Sequence, residues 1–480
     1  MKKTTTIKAL LASLFLELVM TANGQKREIH ILAVNDAHAA IEAMPQVVGI
    51  VDSLRTIYPS LLVFSAGDNR TGNPINDKHS IPGYPMVALM NIAGFNGSAV
   101  GNHEFDDFSF PALCGLSTFR YICANMTAED STGISTVPYQ LFDVEGMKVG
   151  VVGVTQINPD KGTPDAHPDV LQGLHFTSPF EAVKPYEWLS HKCDATILLS
   201  HAGYQEDIQL AEENPWLDLI IGGHTHRQLS EEEPLHNGVL ITQNRNLLAQ
   251  VTHITMVVDN GKVVDKRSEY LLTRRFHQKN EVAQALVNYF DEIPYFKEVL
   301  TLAKTPFTNR NEIGTMVCDA LREETGADVG IMNYKGIRFT KLDAGNITIR
   351  NAFDVDPYGS NVVMLNMKGD ELEEFIIKYG RMNTYKFPHL SGLRADLTID
   401  KPGSNDIVKV KLMTEDGGKI NRKKKYRIAT NSYVTATNKM PLKDTPTVLN
   451  ITTSDIIMRF LKKQPFVDYS NKQTVNYKTE

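Results

Sequence analysis

The stretch "GSAVGNHEFDD", residues 97–107, decides how the chain is read. A short run of small and apolar residues stops at Val100. Asn102, His103, Glu104 and Asp106 then put four polar side chains into five consecutive positions. Buried polar groups are costly unless partnered, so partners have to come from elsewhere in the chain. Four other apolar, strand-like runs end in the same way. "IHILAV" (29–34) is followed by Asn35, Asp36 and His38, and "LLVFSA" (61–66) by Gly67, Asp68 and Asn69. "ATILLS" (195–200) is followed by His201, and "LDLIIGG" (217–223) by His224 and His226. Any one of these reads as a cap, a turn or a satisfied polar group. Five strand ends that each deliver hard oxygen or nitrogen ligands read as one site, because ligands of α/β sheets gather at the carboxyl ends of strands.

The intervening segments support that placement. Residues 44–57 carry Val47, Val48, Ile50, Val51 and Leu54 near helical spacing, and 179–190 and 204–213 look similar. Strands alternating with helices, the strands continuously apolar, predict an α/β domain with buried sheets. The alternating run "HITMVVD" (253–259) predicts antiparallel strands as well, and hence mixed sheets. Residues 277–300 read as a connector, helical up to Ile293 and interrupted by Pro294. A second α/β segment follows, with helices at 312–325 and 369–380 and strands at 328–333 and 360–367. Gly369 before Asp370 and Glu371 marks a helix start with an acidic first turn. The polar tail beyond Lys472 is expected to fray.

A chain of 480 residues exceeds one ordinary core, so two domains are expected. Hydrophobic residues at 42% and charged residues at 22% describe a soluble globular protein. A net charge of −6 gives no bulk electrostatic reason for a nucleic-acid partner. The basic run Arg422, Lys423, Lys424 and Lys425 reads as a solvated loop. Lys2, Lys3 and Lys8 precede a mostly apolar run at 9–22 that holds Glu17 and is short for a bilayer span. With Ala22 and Gly24 at small-residue positions, residues 1–24 read as an export signal and the mature chain begins at Gln25. The expectation is an exported protein, periplasmic or secreted, without a stable membrane anchor, monomeric or homodimeric. Of the four cysteines, Cys114 and Cys123 stand close enough in sequence to pair in an oxidising compartment, whereas Cys193 and Cys318 read as buried thiols.

The strand-end residues suit two divalent cations. Asp36, His38 and His226 can serve one ion, Asn102, His201 and His224 the other, and Asp68 has two oxygens with which to bridge. Imidazole and carboxylate suit Zn²⁺, Mn²⁺, Co²⁺ or Fe²⁺. A metal pair of this kind clamps the attacking and leaving oxygens of an in-line displacement.

The set "NDAH" (35–38), "GDN" (67–69), "GNHEFD" (101–106), "SHAG" (200–203) and "GGHTH" (222–226) resembles the calcineurin-like metallophosphoesterases, in the form of their 5′-nucleotidase branch. The resemblance implies an α/β/β/α sandwich with mixed sheets over residues 25–276, the connector at 277–300 and a smaller α/β substrate-binding domain over 301–475. It implies Asp36, His38, Asp68, Asn102, His201, His224 and His226 as metal ligands and His103 with Asp106 as the catalytic pair. His103 would face the phosphate, Asp106 would orient its ring, and the nucleophile would be a hydroxide generated at the metals. Glu104 reads as a support behind the ligands. Ala39 stands where the family usually has glycine, which is tolerable unless φ there is positive.

In the C-terminal half the resemblance implies that Asn333 and Arg338 of "NYKGIR" and the aromatics Tyr358 of "DPYG" and Tyr433 of "TNSYV" grip a nucleotide. Tyr334 and Lys335 replace two glycines of the pattern. Phe307 replaces an arginine, with Arg310 nearby, and a Gly-Gly-Asp loop is replaced by "VTATNKMPLKD" (434–444). The function expected is hydrolysis of nucleoside 5′-monophosphates or related nucleotides. The alternative is the same chemistry on a sugar phosphate, cyclic nucleotide or nucleotide sugar.

Overall fold

A computed structural model describes residues 26–357, 360–382, 387–400, 407–437 and 442–479. The leader read at 1–24 and Tyr358 lie outside them. The chain divides into two compact units, one ending at Phe290 and the other beginning at Asp291.

The first unit is built on two mixed sheets. The larger runs in the order Lys262–Leu272, Gln250–Asp259, Arg27–Val34, Leu62–Ser65, Gly97–Ala99, Arg120–Ile122, Thr136–Val137. The strands from Arg27–Val34 onward pair in parallel, whereas Gln250–Asp259 joins Arg27–Val34 antiparallel. The smaller runs Leu240–Thr242, Leu219–Gly222, Ala195–His201, Met147–Thr155, Tyr139–Val144, parallel except at its last pair. Period-two alternation gives each sheet one face toward the other. Ile29, Ile31, Phe64 and Ile254 meet Val149, Val151, Ile197, Leu199 and Ile221 in a continuous apolar core. The opposite face of the smaller sheet, with Val152, Leu198 and Ile220, is covered by the helix Tyr204–Glu213 through Tyr204, Leu210 and Ala211. Helix Met44–Ile57, on the segment expected, buries Val47, Val48, Ile50 and Val51. The result is the α/β/β/α sandwich.

The helix read over 277–293 begins at Glu281, because Asn280 caps it by accepting from the Ala283 N–H at 2.9 Å, and ends at Asp291. Pro294 opens a separate short helix to Lys297, and Val299–Ala303 is already a strand, paired antiparallel with Gly345–Thr348. The helical connector is thus shorter than residues 277–300.

In the second unit a five-stranded sheet runs His389–Ser391, Val329–Met332, Lys425–Asn431, Asn361–Lys368, Thr447–Thr452. A three-stranded sheet runs Ile407–Thr414, Leu393–Ile399, Val475–Thr479. Helix Arg310–Thr325 is capped by Asn309, and Gly369–Met382 begins at the expected glycine. The tail expected to fray instead forms the strand Val475–Thr479, because Leu393–Ile399 offers it a parallel edge and a pocket for Val475. All four cysteines are free thiols. Burial pushes the Cys123 thiol up to about 12, and it does not pair with Cys114. Among the described residues no helix is long and apolar enough to cross a membrane.

Candidate metal centre

The loops that follow the strands Arg27–Val34 and Leu62–Ser65 are joined by a backbone ladder that continues past the sheet. Asp36 N–H donates to Gly67 O at 3.0 Å, His38 N–H to Asp68 O at 3.0 Å and Ala39 N–H to Asn69 O at 2.9 Å. Five of the seven candidate ligands, Asp36, His38, Asp68, His224 and His226, have left-handed backbone with φ between 42° and 73°. Non-glycine residues adopt this region rarely, and such strain gathers at functional sites. Ala39 is also left-handed, with φ 54°, so the glycine it replaces would be under less strain there. The close approach of loops requires glycine at one position: a Cβ on Gly101 would stand 2.1 Å from Asp68 Oδ1.

The side chains converge as overlapping groups that could hold cations: Asp36, His38 and His226; Asp68, His201 and His224; and His38, Asp68 and His103. His226 Nε2 lies 3.2 Å from Asp36 Oδ1 and 3.0 Å from His38 Nε2. His201 Nε2 lies 3.1 Å from Asp68 Oδ2, and His224 Nδ1 lies 3.1 Å from Asn102 Oδ1. Tautomers follow from the outer bonds. His201 Nδ1–H donates to Ala66 O at 2.7 Å and His38 Nδ1–H to Thr71 O at 3.2 Å, which turns each Nε2 inward, where it can ligate once deprotonated. His201 Nε2 is buried and has no hydrogen-bond partner despite its nearness to Asp68. Ring nitrogens crowded against two buried carboxylates suit divalent cations. The donor set therefore fits metals.

The electrostatics agree. Burial alone would raise the Asp68 carboxyl, but His201, His103 and His38 outweigh it and hold it far below the usual carboxylate range. Burial disfavours charge on His201, yet Asp68 and Asp36 pull it up to about 10. His38 and His224 are pushed down, chiefly by burial. His103 Nδ1 lies 2.8 Å from Asp106 Oδ2. Burial opposes its charge, but Asp106 and Asp68 hold the imidazole up at about 9. His103 is partly exposed, and its backbone N–H donates to Asp68 Oδ1 at 2.9 Å.

Glu104 sits 1% exposed and binds the two neighbouring loops together. Its carboxylate accepts from the N–H groups of Gly101 at 2.6 Å, Asp68 at 3.0 Å and Asn69 at 2.9 Å. Three supports were missed in the sequence. Gln243 accepts from Arg227 N–H at 2.6 Å and Thr225 Oγ1–H at 2.8 Å and donates to Gly223 O at 2.9 Å, so one amide fixes the turn that carries His224 and His226. Asn244 N–H donates to Asn35 Oδ1 at 2.7 Å, and Asn35 Nδ2–H donates to Asp36 Oδ2 at 2.7 Å. Buried Arg70 reaches Asp107 Oδ2 at 2.5 Å and Ser109 Oγ at 2.7 Å behind the His103–Asp106 turn. A signal existed for Gln243 and Asn244, since they too follow an apolar strand, Leu240–Thr242.

The family models match on both units. Residues 29–228 match the calcineurin-like phosphoesterase model and residues 296–441 the 5′-nucleotidase C-terminal domain model. The chain belongs to the calcineurin-like phosphoesterases that carry a 5′-nucleotidase C-terminal domain. Membership in this family makes it a metal-dependent phosphoester hydrolase. It is 25% identical to protein UshA of Yersinia enterocolitica, over 86% of this chain and 85% of that one. It is also 25% identical to the trifunctional nucleotide phosphoesterase protein YfkN of Bacillus subtilis, over 85% of this chain but only 32% of that longer protein. The crystal structure of a 5′-nucleotidase precursor from Thermus thermophilus superposes with a TM-score of 0.66, covering 94% of this chain and 99% of that one at 22% identity, which shows the fold.

In the second unit the candidate residues are less tied down. Asn333 is buried, its Oδ1 accepting from Asn431 Nδ2–H at 3.0 Å. Arg338 is exposed at its side chain, while its N–H donates to Val355 O at 2.9 Å. Tyr433 is 52% exposed on the short helix Ser432–Thr437. Phe307 is in the core, stacked on Tyr469, so the arginine it replaces has no counterpart at that position. Arg310 lies 4.9 Å over the Tyr334 ring, which in turn stacks on His389.

Proposed function

We propose that the protein releases phosphate from nucleoside 5′-monophosphates and related nucleotides with two divalent cations, Zn, Mn, Co or Fe. Asp36, His38 and His226 hold one ion, Asn102, His201 and His224 the other, and Asp68 serves both. The observation that carries this reading is the convergence of these side chains on one spot beside the His103–Asp106 pair. Bound there, the metals lower the pKa of a water and neutralise charge on the phosphoryl oxygens. The chain's own residues do the rest. Asp106 accepts from His103 Nδ1–H, which fixes the ring and leaves Nε2–H as a cationic donor toward the phosphoryl group. Glu104 and Gln243 keep the ligand loops from moving as charge builds up. Asn333, Arg338, Tyr358 and Tyr433 bind the nucleoside, the tyrosines by stacking on the base. Related proteins named for nucleotide phosphoesters support that substrate class. Residues 1–24 direct export, and their removal leaves a mature chain that begins at Gln25.

Phosphate release from a panel of nucleoside monophosphates by protein reconstituted with Mn²⁺, Co²⁺ or Zn²⁺ tests the proposal. Turnover of other phosphoesters with none of any nucleoside monophosphate overturns its nucleotide half. The buried Phe307 favours a second reading on that panel, in which a sugar phosphate, cyclic nucleotide or nucleotide sugar is turned over better.

A further inference from the structure

The two histidines that turn Nε2 inward lean on different supports. His201 donates to Ala66 O, and Ala66 is bound into the sheet, its own N–H donating to Val34 O at 2.9 Å. His38 donates to Thr71 O, and Thr71 lies past Asn69, the residue that the ladder between the two loops reaches. Thr71 has left-handed backbone as well, with φ 68°. A carbonyl in such a loop orients a ring only if something holds the loop. Asp77 does so. Its Oδ2 accepts from Gly72 N–H at 2.9 Å and from Asn73 N–H at 3.1 Å. The Thr71–Gly72 peptide therefore carries both the C=O that His38 uses and the N–H that Asp77 uses. A trans peptide is planar and points these two bonds in opposite directions, so fixing the N–H aims the C=O. Asn76 anchors the arrangement: its Nδ2–H donates to Asp77 Oδ1 at 3.2 Å, and its Oδ1 accepts from Met86 N–H in helix Tyr84–Ala93 at 3.0 Å. Gly72 lets the loop lie against the ligand turn, since a Cβ there would stand 2.8 Å from His38 O.

We infer that Asp77 is a positioning residue for one cation alone, that of the Asp36, His38 and His226 group, and that it acts on the His38 ring through the Thr71–Gly72 peptide. The inference rests on the two-cation proposal. Partners that orient a ligating imidazole set metal affinity without touching the ion. The cation of the Asp68, His201 and His224 group is independent of this relay, because the sheet itself presents the Ala66 carbonyl to His201. Acceptance of the two N–H bonds needs an oxygen at Asp77 and not its charge.

Dialysis of the zinc-loaded protein against graded chelator, with bound zinc counted by mass spectrometry, tests the inference. Wild type is expected to hold two ions. Asp77→Ala is expected to bind one of them about 10- to 100-fold more weakly and to keep the other as wild type does. Asp77→Asn, which retains an acceptor oxygen, is expected to follow wild type. Asp77→Ser, whose hydroxyl is too short to reach both N–H groups, repeats the test if the alanine variant does not fold. A double-variant cycle separates positioning from general loosening: in a His38→Ala background, Asp77→Ala is expected to change retention no further. Fewer than two ions on wild type overturns the two-cation proposal and the inference with it. Two ions on wild type with unchanged retention in Asp77→Ala overturns the inference alone. Equal weakening of both ions, or additive losses in the cycle, overturns it as well, since Asp77 would then only support the fold.

Discussion

The two units hold their candidate residues in opposite ways. In the first, each side chain is fixed by backbone that can scarcely do anything else. Asp36, His38, Asp68, His224 and His226 sit in left-handed conformations, Glu104 clasps three N–H groups, and Gly101 leaves no room for a side chain. In the second, Tyr433 stands half exposed on a six-residue helix and Arg338 reaches out from a loop. The lesson is that the candidate metal ligands sit in a network that tolerates little change, whereas Tyr433, proposed to stack on the base, stands where exchange disturbs no core.

That contrast can be broken or sharpened by substitution. The largest effect is expected from Asp68→Ala, which removes the carboxylate shared by two candidate groups. Turnover should fall to background and metal content, measured by mass spectrometry, should drop. His103→Ala is expected to cost about 10²–10³ in kcat with metal content intact, as loss of one charge-stabilising donor does. The pH profile separates the pair. Burial notwithstanding, Asp106 and Asp68 hold His103 protonated up to about 9, so turnover should fall as pH rises past that value. Asp106→Asn should move that alkaline limb toward neutrality. Glu104→Gln should weaken metal affinity by about 10- to 100-fold, the usual range for a group that orients ligands without touching the ion. Tyr433→Ala should raise KM for a nucleotide by about 5- to 150-fold, from lost stacking of roughly 1–3 kcal/mol. It should leave turnover of a small aryl phosphate unaltered. Equal losses on both substrates would erase the division between the units.

The smallest effect belongs to stability. Burial, aided by Arg310, pushes the His389 imidazole down to about 3, against 6.5 in the unfolded chain. Folding therefore favours the neutral ring. Its contribution is complete above about 6.5 and is lost progressively as pH falls toward 3. At pH 5 the deficit is roughly 2 kcal/mol, and thermal melts of wild type should lose more stability between pH 7 and pH 5 than those of His389→Leu.

What was legible in the sequence follows the same division. Strand ends could be read because an apolar run and the hard ligands after it are adjacent in the chain, and helix Met44–Ile57 because its apolar spacing is local. Arg70 escaped because its partner Asp107 is a neighbour only after folding, and Gln243, though it follows the apolar strand Leu240–Thr242, because the Gly223–Arg227 backbone it holds comes close only in the fold. The strand Val475–Thr479 escaped for the same reason, since its parallel partner lies some eighty residues upstream at Leu393–Ile399. The helix expected up to Ile293 is trimmed at both ends, starting at Glu281 behind the Asn280 cap and stopping at Asp291, while Pro294 opens a separate short helix where the interruption was expected.

The left-handed backbone of the ligand loops has a consequence for heredity. Strain of order 1 kcal/mol or more at each such residue approaches, when added over several, the net stability of an ordinary domain. At Asp36, His38, Asp68, His224 and His226 a lineage adapting to heat has no way to relax it without giving up a candidate ligand, because glycine there has no side chain. Ala39, at φ 54°, contributes no functional group. It is the one strained position in the "NDAHA" turn where descendants can become hardier without becoming slower.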